Sequence, residues 1–256
     1  MNSIIQNKFF KTVLAIVFWV AVWYVAAFAI DKEVFLPFPH TVIVRFTALI
    51  MSPNFLKTVA FSLIRILTGF VVGIILGFFL AIFTNYSKVA EAIISPAVRV
   101  IRATPVVSFI LLAYLWLDND TIPAFIAILM VVPIMWQNVS SGLMNLDNNL
   151  SQMADVFKIK KTKRFFKIIF PQLTPYFYSG CMTSLGLAWK SGVAAEVISY
   201  PKVAIGKEMN EAKILLETSD VFVWTLTLIA LSLIFESLIK NFFKKRMYIG
   251  EGSRDD

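Results

Sequence analysis

The chain has 256 residues, of which 58% are hydrophobic and 16% are charged, and its formal net charge is +8. Soluble domains are nearer half apolar and about a quarter charged, so this composition excludes an ordinary soluble domain. Several apolar runs reach the roughly 20 residues that cross a bilayer as a helix. The basic residues concentrate in the loops between these runs, which favours the positive-inside rule of membrane proteins over nucleic-acid binding.

The first apolar run, residues 12–30, predicts a transmembrane helix. Its Ala27-Phe28-Ala29 ending imitates a signal-peptidase site, so a cleaved signal peptide is the alternative. The run is longer than a usual signal core and further apolar runs follow it, which favours an uncleaved first span. Two prolines in Leu36-Pro37-Phe38-Pro39 then break the chain, and residues 41–51 predict an amphipathic helix outside the membrane.

Five more spans are predicted after this point, over residues 58–84, 91–117, 122–144, 171–198 and 221–239. In the first of these five, Gly69, Gly73 and Gly77 share one helix face, which predicts close packing against another helix. Pro96 and Pro105 predict kinks in the next. With six spans and an inside N-terminus, the inside segments carry more than twice as many Lys and Arg as the outside ones, as that orientation requires.

The longest charged interruption runs from Asp147 to Pro171 and lies on the predicted inside. It begins with a short helix whose apolar residues recur at three- and four-residue spacing: Leu150, Met153, Val156 and Phe157. Asn149 is the predicted N-cap, with Gln152 reaching back to it. Pro171 is predicted to stop the segment and to open the next helix. An apolar helix face between two membrane spans needs a partner.

This segment resembles the coupling loop of permeases from binding-protein-dependent ABC importers, whose pattern is Glu-Ala-Ala, three residues, Gly and, further on, Pro. Gln152, Met153 and Ala154 occupy the Glu-Ala-Ala positions, and Lys158 stands where the family has Gly. The resemblance implies that the helix docks on a separate cytoplasmic ATPase. The coupling residues that it implies are Asn149, Leu150, Gln152, Met153, Ala154, Asp155, Val156, Phe157, Lys158 and Pro171.

Flanking motifs resemble the nitrate, sulfonate and taurine group of these permeases. They are Leu36-Pro37-Phe38-Pro39, the Ser62-Leu63-Ile64-Arg65 stretch with the glycines after it, and the run from Gly186 to Glu196. The resemblance covers about residues 36–239. It implies an all-α polytopic membrane protein with six transmembrane helices and a cytoplasmic coupling helix. The expected organisation is a single permease domain, 1–256, with a first span and outer segment (1–57), a five-span core (58–239) and a basic cytoplasmic tail (240–256).

The resemblance also implies the function and the partners. The chain is expected in the cell membrane, with both termini cytoplasmic, as the permease of an importer for a small, anionic solute such as nitrate, a sulfonate or taurine, or for a thiamine-precursor pyrimidine. A solute-binding protein outside the cell, a cytoplasmic ATPase and a second copy of the permease are the implied partners, besides membrane lipid. The sequence has no phosphate loop, so ATP hydrolysis falls to the ATPase.

Candidate residues of the translocation path lie in the fifth span. They are Trp189, Lys190 and Glu196, of which the ionisable pair is costly inside a bilayer and points to function. Lys190 lies deeper and either lines the path or pairs and snorkels. Glu196 is predicted near the outer mouth, where solvation at the interface is the simpler explanation.

Two other classes of function compete with this interpretation. A self-sufficient secondary transporter or channel requires coupling acids at the midplane or an inverted repeat, and neither is evident. A membrane-embedded enzyme requires clustered acid and base groups or a metal set. The sequence offers no paired carboxylates, nucleophile turn or metal-ligand spacing, and its one cysteine, Cys181, lies in an apolar run. We therefore expect no catalytic residue, metal or cofactor.

Overall fold

The structure, a computed structural model, describes residues 8–251, and every regular element in that range is a helix. The helices in chain order are α1 (Lys8–Ile30), α2 (Pro39–Ile50), α3 (Pro53–Tyr86), α4 (Lys88–Ala103), α5 (Val106–Ala113), α6 (Ile122–Met144), α7 (Asn148–Val156), α8 (Lys161–Arg164), a π-helical turn (Phe165–Ile169), α9 (Phe170–Ser199), α10 (Ile205–Ile214) and α11 (Thr218–Glu251). The last predicted tail residues, 252–256, lie outside the described residues.

Four described helices, α1, α3, α6 and α11, are long and apolar enough to cross a membrane. The pair α4 and α5 adds a fifth crossing if the two helices form one bent span. The 30 residues of α9 are also long enough to cross, but α9 is not among the helices that are apolar enough to do so. The all-α membrane fold is therefore confirmed, whereas the predicted count of six spans is not.

The predicted span over residues 91–117 is broken rather than kinked. Its two helices, α4 and α5, meet at an angle of 101°. Thr104 between them is extended, with ψ of 133°, because the ring of Pro105 disfavours helical geometry in the residue before it. Pro96, in contrast, lies inside α4. The first proline is tolerated within a helix, and the second separates two helices.

The glycine face of α3 packs directly on α6 at the centre of the bundle. A Cβ atom added to Gly69 would lie 2.4 Å from the carbonyl oxygen of Ala124, and one on Gly73 would lie 2.7 Å from Cβ of Val131. Such distances leave no room for a side chain, so the two backbones approach as small residues permit. The close packing predicted for these glycines is confirmed, with α6 as the partner.

Polar contacts hold α2 to α11, and α1 to the segment before α2. The guanidinium of Arg45 in α2 binds both carboxylate oxygens of Asp220 at the start of α11, with 2.9 Å between Nη2 and Oδ2. This hydrogen-bonded pair raises the pKa of Arg45. Trp23 of α1 donates from Nε1 to the carbonyl of Pro37 at 3.0 Å. His40, the only histidine of the chain, is exposed and contacts the hydroxyl of Tyr24.

Candidate functional site

The helix α7 carries its own N-terminal cap. The side chain of Asp147 accepts a hydrogen bond from the backbone N–H of Asn149 at 2.8 Å. The predicted cap by Asn149 is therefore wrong, because the helix begins at Asn148 and a carboxylate is available just before it. The N–H of Asp147 in turn donates to Oε1 of Gln172 at 2.9 Å, which fastens the start of α7 to α9.

The end of α7 is a tight left-handed turn. Ile159 N–H donates to the carbonyl of Ala154 at 2.9 Å, and Lys158 N–H donates to that of Asp155 at 3.1 Å, which together form a Schellman motif. Lys158 has a φ of 47°, a conformation that glycine adopts freely and that costs other residues about 1 kcal/mol. The glycine position of the coupling-loop pattern is thus occupied here by a lysine in a glycine-like conformation.

One face of α7 packs on the chain and the other is open. Ala154 is almost completely buried, with 1% of its surface exposed. Leu150 and Met153 are about two-fifths exposed, and Val156 and Phe157 are more than two-thirds exposed. The carboxylate of Asp155 meets the guanidinium of Arg164 at 2.5 Å, which braces the end of the helix against α8. The segment therefore presents an apolar surface on a helix that is fastened at both ends.

The helical segment continues through Pro171 without a break. Residues 161–199 are continuously helical, with the π-helical turn Phe165–Ile169 directly ahead of α9. Pro171 lies in the first turn of α9, immediately after the π-helical turn. The predicted break is therefore wrong. A proline ring clashes with the carbonyl four residues earlier in an α-helix, and the wider π turn relieves that crowding without ending the helix.

The three candidate path residues of α9 face different surroundings. Trp189 is buried and donates from Nε1 to the carbonyl of Leu228 at 3.2 Å. Lys190 is exposed, and it makes no hydrogen bond or ion pair with any residue that the structure describes. Glu196 is fully buried. The interfacial solvation predicted for Glu196 is wrong, because its carboxylate turns into the protein.

Glu196 is the centre of a polar cluster near the C-terminal end of α9. Its Oε1 accepts from Nη1 of Arg65 at 2.8 Å, and its Oε2 accepts from the Ser62 hydroxyl at 2.8 Å and from the N–H of Gly206 at 3.2 Å. Arg65 also donates from Nε to the carbonyl of Asp120 at 2.8 Å. These contacts join α3, the turn before α6, α9 and α10, and they satisfy a buried charge on both oxygens.

The cluster also caps α10. The residue before that helix is Ala204, whose side chain cannot accept a hydrogen bond. Ser62 of α3 accepts the N–H of Ile205 at 2.8 Å instead, and Glu196 accepts that of Gly206. A Cβ atom on Gly206 would lie 2.5 Å from Cβ of Glu196, so the approach requires glycine. Sequence reasoning missed this site, although the arginine inside a predicted span signals a buried carboxylate partner.

An exposed stripe runs along α9 at three- and four-residue spacing through Pro175, Ser179, Thr183, Leu187 and Lys190. Nothing lies within 4 Å of the Cβ position of Gly186 beside it. A cleft of about 290 Å³ opens here against α11, lined by Thr183, Ser232 and Glu236 among others. The carboxylate of Glu236 is paired with Lys240 at 2.6 Å. In contrast to Glu236, the ammonium group of Lys190 is left without a counter-charge among the described residues.

Comparison with known proteins gives a consistent picture. Residues 69–248, most of the chain, match the family described as binding-protein-dependent transport system inner membrane component. The putative aliphatic sulfonates transport permease protein SsuC of Bacillus subtilis is 27% identical over 206 residues, covering 79% of this chain and 74% of that protein. The nitrate import permease protein NrtB of Synechocystis is 26% identical over 210 residues, covering 77% and 75%.

A solved structure supports the same fold. The crystal structure of an amino acid ABC transporter with histidines superposes with a TM-score of 0.62, covering 79% of this chain and 96% of that one at 15% identity. At that level of identity the likeness concerns the fold alone.

Proposed function

Because the chain belongs to the family of binding-protein-dependent transport system inner membrane components, we propose that it carries a small anion across the cell membrane under the drive of a separate ATPase. It is the permease subunit of an ABC importer, a membrane component without catalysis of its own.

The open face of α7 is the coupling surface of this proposal. Leu150, Met153 and Phe157 are apolar and exposed on a helix that its own caps and the Asp155–Arg164 pair hold in place. Burial of such a face in a groove on the ATPase would contribute about 25 cal/mol for each Å² of apolar surface removed from water. Contact with a cytoplasmic ATPase requires that α7 lie on the cytoplasmic side of the membrane, with both termini on the same side, as the distribution of basic residues favours.

The unpaired ammonium group of Lys190 is the reason to propose an anionic solute. An unpaired ammonium group within a membrane helix is costly unless it faces water or a counter-charge, and Lys190 lies on the exposed stripe of α9 beside Thr183 and Ser179. Relatives are named for sulfonates, nitrate and bicarbonate, all of which are anions. Trp189 and Glu196 then support the path from behind rather than line it.

A second copy of the chain completes the path in this proposal. Two stripes of α9, one from each copy, would face each other across a polar passage, and a solute-binding protein would deliver the anion to the outer end. The stripe is the observation that favours a paired arrangement, because Ser179, Thr183 and Lys190 are poorly suited to contact with lipid tails.

The experiment that tests the coupling surface compares two identical substitutions. Met153→Arg places a charge in the proposed ATPase contact, whereas Met51→Arg places it on an exposed outer position, 85% exposed. In vesicles that contain the permease, the ATPase and the binding protein, Met153→Arg is expected to lower uptake about tenfold or more while ATP turnover continues. Met51→Arg is expected to leave both unchanged. Normal coupled uptake by Met153→Arg would contradict the proposal.

A further inference from the structure

An apolar groove opens on the side of the bundle between α3, α9 and α11, at the end that carries α8. It has a volume of about 420 Å³ and is lined chiefly by five phenylalanines and a threonine: Phe78, Phe170, Phe177, Phe242, Phe243 and Thr174. The hydroxyl of Thr174 already donates to the carbonyl of Phe170 at 3.1 Å. The lining therefore offers surface to hydrocarbon and no unused side-chain donor to a polar ligand.

Unpaired cations flank this phenylalanine groove on the α9 side. Lys167 precedes Pro171 by one helical turn, and Lys163 lies a further turn away on α8. Neither lysine has a hydrogen bond or an ion pair with a described residue, and both are exposed. Positive charge thus stands one to two helical turns before the α9 wall of the groove.

We propose that the groove binds an anionic phospholipid, with an acyl chain among the phenylalanine rings and the phosphate beside Lys163 and Lys167. The apolar lining fits an alkyl chain, and the lysines supply the counter-charge that such a headgroup requires. A zwitterionic lipid carries its own cation next to the phosphate and gains less from the same lysines. The ligand is therefore distinguished by its net charge, not by its hydrocarbon.

The test uses the purified full-length chain in a neutral detergent, with phosphatidylglycerol or phosphatidylcholine added. Phosphatidylglycerol is expected to raise the melting temperature by several degrees and to remain bound in native mass spectra, because a ligand that binds only the folded state stabilises it. Phosphatidylcholine is expected to do neither. The assay requires no ATPase and no transport, so its outcome is independent of the proposed function.

Two variants and a control locate the site. Thr174→Trp fills the groove, and the pair Lys163→Gln with Lys167→Gln removes the surface charges without entering the core; each is expected to abolish the preference for phosphatidylglycerol. Ile64→Trp adds the same ring to an exposed site on α3, roughly 21 Å from Phe78 along the helix, and is expected to preserve it.

The opposite results would overturn the proposal. Equal stabilisation by the two lipids would show that net charge is not recognised. If Thr174→Trp folds and retains the preference for phosphatidylglycerol, the groove is not the binding site. If Thr174→Trp does not fold, the double lysine variant is the test instead. An unchanged preference in the lysine variant would exclude a contact between the lipid phosphate and these lysines. Loss of dimers in Thr174→Trp with lipid binding intact would assign the groove to a second copy of the chain.

Discussion

The short helices α7 and α10 lie between membrane helices and end in the same way, yet they begin differently. Each closes with a Schellman turn whose left-handed residue is not glycine, Lys158 with φ of 47° and Leu216 with φ of 60°. The helix α7 is capped by its own Asp147. The helix α10 is capped from two other helices, by Ser62 and by Glu196.

This difference separates a helix that has an exposed face and its own cap, α7, from one that the bundle holds in place, α10. Only Ala154 of α7 is buried, and its polar fastenings lie at the two ends of the segment. The first turn of α10 is interlocked with the buried carboxylate of Glu196, and Ile205, Gly206 and Ala212 are buried. A helix that must meet a partner needs a free face and a self-contained cap. A helix that receives its cap from the bundle moves only with the bundle.

Removal of Glu196 should have the largest effect of the changes considered. Glu196→Ala leaves Arg65 without its buried counter-charge and the first turn of α10 without an acceptor, and the cost of breaking such a pair is about 3–5 kcal/mol. We expect a clear drop in the free energy of unfolding in detergent. The double variant Arg65→Met with Glu196→Leu should lose less than the sum of its two single variants, because it leaves no orphaned charge.

A matched control tests whether the burial of Glu196 explains that effect. Glu211 of α10 bonds to the hydroxyl of Tyr200 and is two-fifths exposed. Glu211→Ala should change the free energy of unfolding by less than about 1 kcal/mol, as exposed pairs do. If both glutamate variants lower the free energy of unfolding equally, the cluster around Glu196 does not fix α10, and the contrast between the two short helices fails.

Lys190 should affect transport rather than folding. Lys190→Gln removes the unpaired charge from the stripe of α9, and we expect the apparent affinity for the anion to fall about tenfold in uptake assays, the equivalent of roughly 1.4 kcal/mol. Lys207→Gln on α10 serves as the control, since that lysine already pairs with Glu211. Unchanged uptake kinetics in Lys190→Gln would exclude the lysine from the path.

The parts of this fold that sequence reasoning found are those that local pattern decides. The sixth helix, Ile122–Met144, has the predicted bounds because an apolar run begins there with a proline in its first turn. The periodic face of α7 was also predictable. Its cap was not, since Asp147 and Asn149 are both good capping residues and only the backbone chooses between them.

The parts that sequence reasoning missed depend on distant residues. The ten residues of α10 are too polar for a span and have no capping residue of their own, so the local sequence pattern does not predict this helix. The group that starts the helix, Ser62, lies 143 residues earlier in the chain. The surroundings of Glu196 are hard to predict for the same reason. Helical rise places Glu196 near the end of its helix but says nothing of the arginine that faces it.

The smallest expected effect concerns the turn that ends α7. Lys158→Gly relieves a left-handed conformation, and we expect a gain in stability of up to about 1 kcal/mol, reduced by the greater freedom of glycine in the unfolded chain. Lys160→Gly is the matched control, because Lys160 has a φ of −54° that any residue adopts, and it should cost stability. Hydrogen exchange at the amides of residues 153–157 measures both. Slower exchange in Lys158→Gly, with faster exchange in Lys160→Gly, would show that α7 holds its shape by its own turn; equal changes would mean that its neighbours hold it, as they hold α10.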